Sequence, residues 1–110
     1  MNDREKDRLI LITGATGKVG TAFIERLLND EKYSQCRVRA LCHNRLLEET
    51  ARLEVVKGTI ADREVAAAAV SGVSHILHLA TCKETPEDIM DVTVKGLFWI
   101  LEEARTSEAF

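Results

Sequence analysis

One octet, Thr13-Gly14-Ala15-Thr16-Gly17-Lys18-Val19-Gly20, constrains this chain more than any other feature, because of what flanks it. Before it, Leu9-Ile10-Leu11-Ile12 is continuously apolar, the pattern of a parallel strand buried on both faces. After it, Val19, Ala22, Phe23, Leu27 and Leu28 recur at helical spacing while Glu25, Arg26 and Asn29 fall on the other side. An amphipathic helix is therefore expected, packing the Val19, Phe23 and Leu27 side on a sheet. Strand, glycine turn and helix together span about 30 residues, the size of a βαβ opening.

Glycines at 14, 17 and 20 allow a tight turn, a backbone without Cβ atoms, and close seating of the helix. The first N–H groups of that helix have no partner within it, and its dipole favours negative charge. This arrangement suits a phosphate, and the spacing suits the pyrophosphate of a dinucleotide. Gly14, Thr16, Gly17, Lys18, Val19 and Gly20 are the expected contacts.

The rest of the chain repeats the alternation. Val38–Cys42 reads as a second strand, Leu46–Ala51 as a short helix or turn, and Leu53–Val56 as a third strand ended by Lys57-Gly58. Asp62 is placed to cap an alanine-rich helix over Arg63–Val70, which Ser71-Gly72 stops. His75–Ala80 reads as a fourth strand, and Pro86 as the start of a last helix. Ile89, Met90, Thr93, Gly96, Leu97, Ile100, Leu101 and Ala104 trace one face of that helix over four turns. Gly96 inside it costs about 1 kcal/mol against Ala, so it marks a close approach to the sheet. The expected fold is α/β: residues 1–110 as a single Rossmann-like three-layer domain, with four parallel strands in the order 3-2-1-4 and helices on both faces.

Composition excludes several classes. The 15 basic and 18 acidic residues give a net charge of −3 with no basic run, which argues against a nucleic-acid surface. No apolar stretch approaches the roughly 20 residues that cross a bilayer, and the first eight residues are densely charged, so neither membrane span nor signal peptide is expected. Cys36, Cys42 and Cys82, odd in number and irregularly spaced, fit free thiols in the cytoplasm. No metal site is expected, because His75 and His78 fall on opposite faces of a strand.

An NAD-preferring site places Asp or Glu near the end of the second strand to bond the ribose hydroxyls. This chain has Cys42-His43-Asn44-Arg45 there. Without a carboxylate to repel a 2′-phosphate, and with Arg39, His43 and Arg45 as cations, NADP(H) fits better than NAD, which stays possible.

The octet resembles the Thr-Gly-x-x-Gly-x-x-Gly signature of extended and atypical short-chain dehydrogenases/reductases. Val38–Arg45 is similar to the second strand of NmrA-like members, His78-Leu79-Ala80-Thr81 to the His-Leu-Ala-Ala element of epimerase/dehydratase members, and Asp91–Gly96 to their Asp-Val-Asn-Val-x-Gly helix. The resemblance implies that Thr59, Ile60, Leu79, Ala80 and Thr81 border the cofactor. Two departures stand out: Thr59 follows Gly58 where the family has an adenine-contacting Asp, and Thr93 replaces the helix Asn.

The resemblance also implies a Tyr-x-x-x-Lys pair and a Ser beyond the fourth helix. The only tyrosine is Tyr33, with Arg37 four residues on, in the turn before the second strand and away from the crevice. Asp62 with Glu64, and Glu84 with Glu87, read as caps or solvated faces rather than acid–base pairs. No catalytic residue is assigned. The expectation is the cofactor-binding portion of a short-chain dehydrogenase/reductase or epimerase-type enzyme, inactive alone. The alternatives are an NAD(P)-sensing regulatory module and an interaction domain that keeps only the fold. Relative to the full order 3-2-1-4-5-6 the fold is truncated and leaves strand four as an edge, which invites a homodimer or a missing C-terminal half.

Overall fold

The computed structural model describes residues 8–43, 45–80 and 93–107. At its centre lies β1 (Leu9–Thr13), flanked by β2 (Arg37–Cys42) and β4 (His75–His78), with β3 (Leu53–Lys57) beyond β2. All pairings are parallel, in the order β3-β2-β1-β4. The order is the expected one: β2 and β3 are laid down outward from β1, and β4 then returns to the other side of β1.

α1 (Lys18–Asn29) covers one face of the sheet, while α2 (Arg63–Val70) and α3 (Gly96–Thr106) cover the other. Strand alternation divides the core accordingly. Ile12, Val38, Ala40 and Cys42 face α1 with Ile24 and Leu27. Leu9, Leu11 and Leu41 face α2 and α3 with Ala66, Val70 and Ile100. Full burial of each large aliphatic side chain, such as Leu11, Ile12 and Ile100, contributes about 1.5–3 kcal/mol.

Two helix faces differ from expectation. In α1 the buried residues are Gly20, Ile24 and Leu27, leaving Val19 at 67% and Phe23 at 38% exposure. The helix is turned by one residue from the Val19–Phe23 stripe because Gly20, lacking a side chain, seats against Gly14 and Ala15. In α3 the buried residues are Gly96, Ile100 and Ala104, a single row four residues apart, and Leu97 and Leu101 lie outside. A π turn over residues 93–95 leads into this helix. The expected start at Pro86, and the face positions Ile89 and Met90, lie outside the described residues, as do Thr81 and Cys82.

Local signals explain the boundaries. Asp62 accepts from the Glu64 N–H at 2.9 Å and caps α2, as its sequence position implies. Gly72, at φ +76°, follows the last turn of α2. Among the described residues between β2 and β3 no helix forms; Thr50 and Leu53 bridge across a turn instead. Arg52 holds that corner by donating to the carbonyls of Leu28, Tyr33 and Cys36 at 2.6–3.0 Å.

Candidate functional site

The carboxyl ends of β1, β2 and β4 meet at one edge of the sheet, where open α/β sheets place their ligands. The glycine-rich turn leaves β1 there and enters α1. Its three glycines have three different reasons for being glycine.

Gly14 has φ +67°, and a Cβ on it would stand 2.8–2.9 Å from backbone atoms of Leu79 and Ala80. Gly20 sits inside α1, and a Cβ there would lie 2.5 Å from the Gly14 carbonyl oxygen. Both are demanded by the fold itself. Gly17 is not: its φ of −75° and ψ of 173° suit any residue. A Cβ on Gly17 would meet only the Gly14 carbonyl oxygen, at 3.4 Å, the near limit of ordinary contact. Gly17 is thus the one glycine of the three that neither backbone conformation nor packing requires.

Gly17 is also the N-cap of α1, and no side chain caps that end. The first turn contains no acidic residue. Its N–H groups have no acceptor within the helix, and the turn is braced from behind by Gly17 N–H to Gly14 C=O at 3.1 Å and Thr21 Oγ1 to Ala15 C=O at 3.2 Å. Lys18 and Val19 both project outward from this turn.

Arg45 reaches back from the end of β2 to donate to the Thr16 carbonyl at 3.2 Å, which brings a guanidinium onto the glycine-rich turn. His43 is exposed beside β2. Arg39 is different, and the expectation of a phosphate contact there is corrected. Its guanidinium pairs with Glu54 and donates to the carbonyls of Ala68, Ala69 and Ser71, the C-terminal end of α2. A strand residue that points at a helix terminus satisfies orphan carbonyls there, so Arg39 belongs to the scaffold.

Ile60 also receives a structural role. Its side chain is buried between α2 and α3, where the missing Cβ of Gly96 makes room for it, so only its backbone is free to face a ligand. Gly96 therefore approaches the connection after β3 rather than a strand. Thr59 turns inward to accept from the Ala61 N–H at 3.2 Å. Leu79 and Ala80 run directly beneath Gly14, and Thr81 lies outside the described residues.

Thr13 and His78 were not singled out as site residues by sequence reasoning, yet both sit at its floor. The Thr13 hydroxyl accepts from the N–H groups of Leu79 and Ala80 at 3.0 and 3.1 Å and contacts His78 Nδ1 at 2.8 Å. Burial pushes the His78 pKa below its ordinary value of 6.5. Only the register, which sets Thr13 beside His78 across β1 and β4, reveals the pair.

At the opposite edge of the sheet a cavity of about 310 Å³ is lined by Ile10, Phe23, Leu27, Tyr33 and His75, among others. It is an uncovered flank of α1, and Tyr33 belongs to it. Among the described residues no group of three or more metal-ligating side chains is gathered.

Residues 10–110 match the NAD dependent epimerase/dehydratase family. The 3 beta-hydroxysteroid dehydrogenase/Delta 5→4-isomerase of Mycobacterium tuberculosis is 37% identical over 75 residues, covering 68% of this chain and 20% of that protein. The structure of uronate dehydrogenase from Agrobacterium tumefaciens, a mutant complexed with NAD, superposes with a TM-score of 0.80 at 27% identity, over 91% of this chain and 37% of that one. Glucuronic acid dehydrogenase from Chromohalobacter salexigens gives 0.79 at 28% identity, over 92% and 37%. The chain thus spans about a fifth of its curated relatives and little more than a third of these solved ones.

Proposed function

Since the chain belongs to the NAD dependent epimerase/dehydratase family, we propose that it binds a nicotinamide dinucleotide through the turn from Gly14 to Gly20, as the cofactor-binding portion of a dehydrogenase or epimerase-type enzyme. The observation that carries this reading is Gly17, a glycine that neither backbone conformation nor neighbouring atoms require. The residues present fit the group: uncapped helix N–H groups and bare backbone suit a pyrophosphate, with Lys18 and Val19 at its edge. When bound, a nicotinamide supplies a hydride acceptor or donor.

The preferred form is NADP(H). Arg45, already resting on Thr16, is the cation beside β2, with the His43 imidazole next to it, and Arg39 is no longer counted there. Backbone of Thr59, Ile60, Leu79, Ala80 and Thr81 would border the adenosine and the nicotinamide ribose. The chain is proposed to turn over no substrate by itself, since its single tyrosine, Tyr33, lines the far edge. The edge of β4, beyond which no strand lies among the described residues, and the exposed flank of α3 are proposed to meet a second copy or a further segment of the protein. A cytoplasmic location fits the free thiols of Cys36 and Cys42.

Gly17→Ala tests the assignment. The weaker N-cap is offset by the lower entropy of the unfolded chain, so stability should change by less than about 1 kcal/mol. Dinucleotide affinity should fall at least about tenfold, and unchanged affinity would remove the turn from the site.

A further inference from the structure

We infer that His78, as the neutral imidazole carrying its proton on Nε2, is a positioning residue that pins the exit of β4 against the glycine-rich turn, and that its protonation loosens this join. The effect on ligand affinity rests on the dinucleotide reading above; the join itself does not.

The tautomer follows from counting hydrogens. Both acceptor positions of the fully buried Thr13 hydroxyl are taken by the N–H groups of Leu79 and Ala80. Its own hydrogen is therefore the one that lies on the 2.8 Å contact to His78, and Nδ1 must accept it. A neutral ring that accepts at Nδ1 is protonated at Nε2. Leu79 is tied a second time, N–H to the Thr13 carbonyl at 3.2 Å. The same stretch of backbone, Leu79 and Ala80, is what Gly14 presses against. One hydroxyl thus sets the distance between the two turns that meet at the site.

A proton on Nδ1 would place two donors face to face. The Thr13 hydroxyl would then have to rotate and accept from the ring, giving up one of its two amide donors in a half-buried place. Among the described residues the charged and titratable groups on the surrounding elements are His75 on β4, Arg63 and Glu64 on α2, Lys95 before α3, and Glu102, Glu103 and Arg105 on α3. None of them moves the His78 pKa; burial does, downward.

The test compares the wild-type chain with His78→Asn, whose Oδ1 accepts where Nδ1 did without titrating, and with His78→Phe, which has no acceptor. In the free protein, NMR from about pH 8 to about pH 5 should show an Nε2–H ring at neutral pH. Amide resonances of Leu79 and Ala80 should shift, and their protection against hydrogen exchange, taken relative to the intrinsic rate at each pH, should fall about tenfold, as His78 titrates. His78→Asn should be flat, and His78→Phe should exchange fast throughout. NAD is the binding probe because, unlike a 2′-phosphate with a second pKa near 6, its pyrophosphate keeps its charge over this range. Its affinity should fall about tenfold across the titration in the wild type and stay level in His78→Asn. An Nδ1–H ring at neutral pH, or Leu79 and Ala80 titrating alike in wild type and His78→Asn, would overturn the inference. If the amides follow His78 while NAD binds at no pH, the join stands and the dinucleotide reading falls.

Discussion

At the scale of single residues, the glycines separate what the fold needs from what a ligand needs. Gly14→Ala must hold φ +67° and push Cβ into the backbone of Leu79 and Ala80, so it should destabilise the chain by more than about 2 kcal/mol, read by denaturant unfolding. Arg45→Ala removes a charged donor that rests on Thr16. NADP affinity should drop about tenfold while NAD affinity changes little, measured by calorimetry. The spacing of the octet was plain in the sequence, and so was the shortage of carboxylates after β2. The commitment of Arg39 was not, because nothing local in Val38–Cys42 reveals that the end of α2 arrives beside that strand. Thr13 and His78 each open a motif legible in the sequence, but their contact was not legible for the same reason: 65 residues separate them, and only register unites them.

Among elements, the four strands and their order could be read directly, since apolar runs, Gly stops and the Asp62 cap are short-range signals. Asp62→Ala should cost about 1 kcal/mol of stability by orphaning the first turn of α2, checked by the shift of the thermal midpoint. Helix rotation was less legible. In α1 the rows Val19–Phe23–Leu27 and Gly20–Ile24–Leu27 are adjacent, and only the seating of Gly20 on Gly14 selects the second. The join between β1 and β4 carries a pH dependence of stability. Because the folded state lowers the His78 pKa, the unfolded chain takes up its proton first; this contribution is complete above the ordinary value of 6.5 and declines as the pH falls below it. Unfolding free energy followed from neutral to mildly acid pH should show a decline that His78→Asn reduces.

At the scale of the whole molecule, the described residues form one four-stranded sheet with a buried apolar cluster on each face. Among the described residues β4 has no further strand beyond it, and Phe98 and Leu101 on α3 are 55% and 60% exposed. This exposed apolar surface is where the proposed contact with a second copy or a further segment of the protein would form. What unites the folded part is the edge where β1, β2 and β4 end, with its uncapped helix and its unexplained glycine. Calorimetric titration of the folded 110-residue chain with NADP and with NAD tests that claim most directly. Saturable binding tighter than millimolar, with NADP the stronger ligand, is the predicted result; a folded protein that binds neither dinucleotide up to millimolar concentration would contradict it.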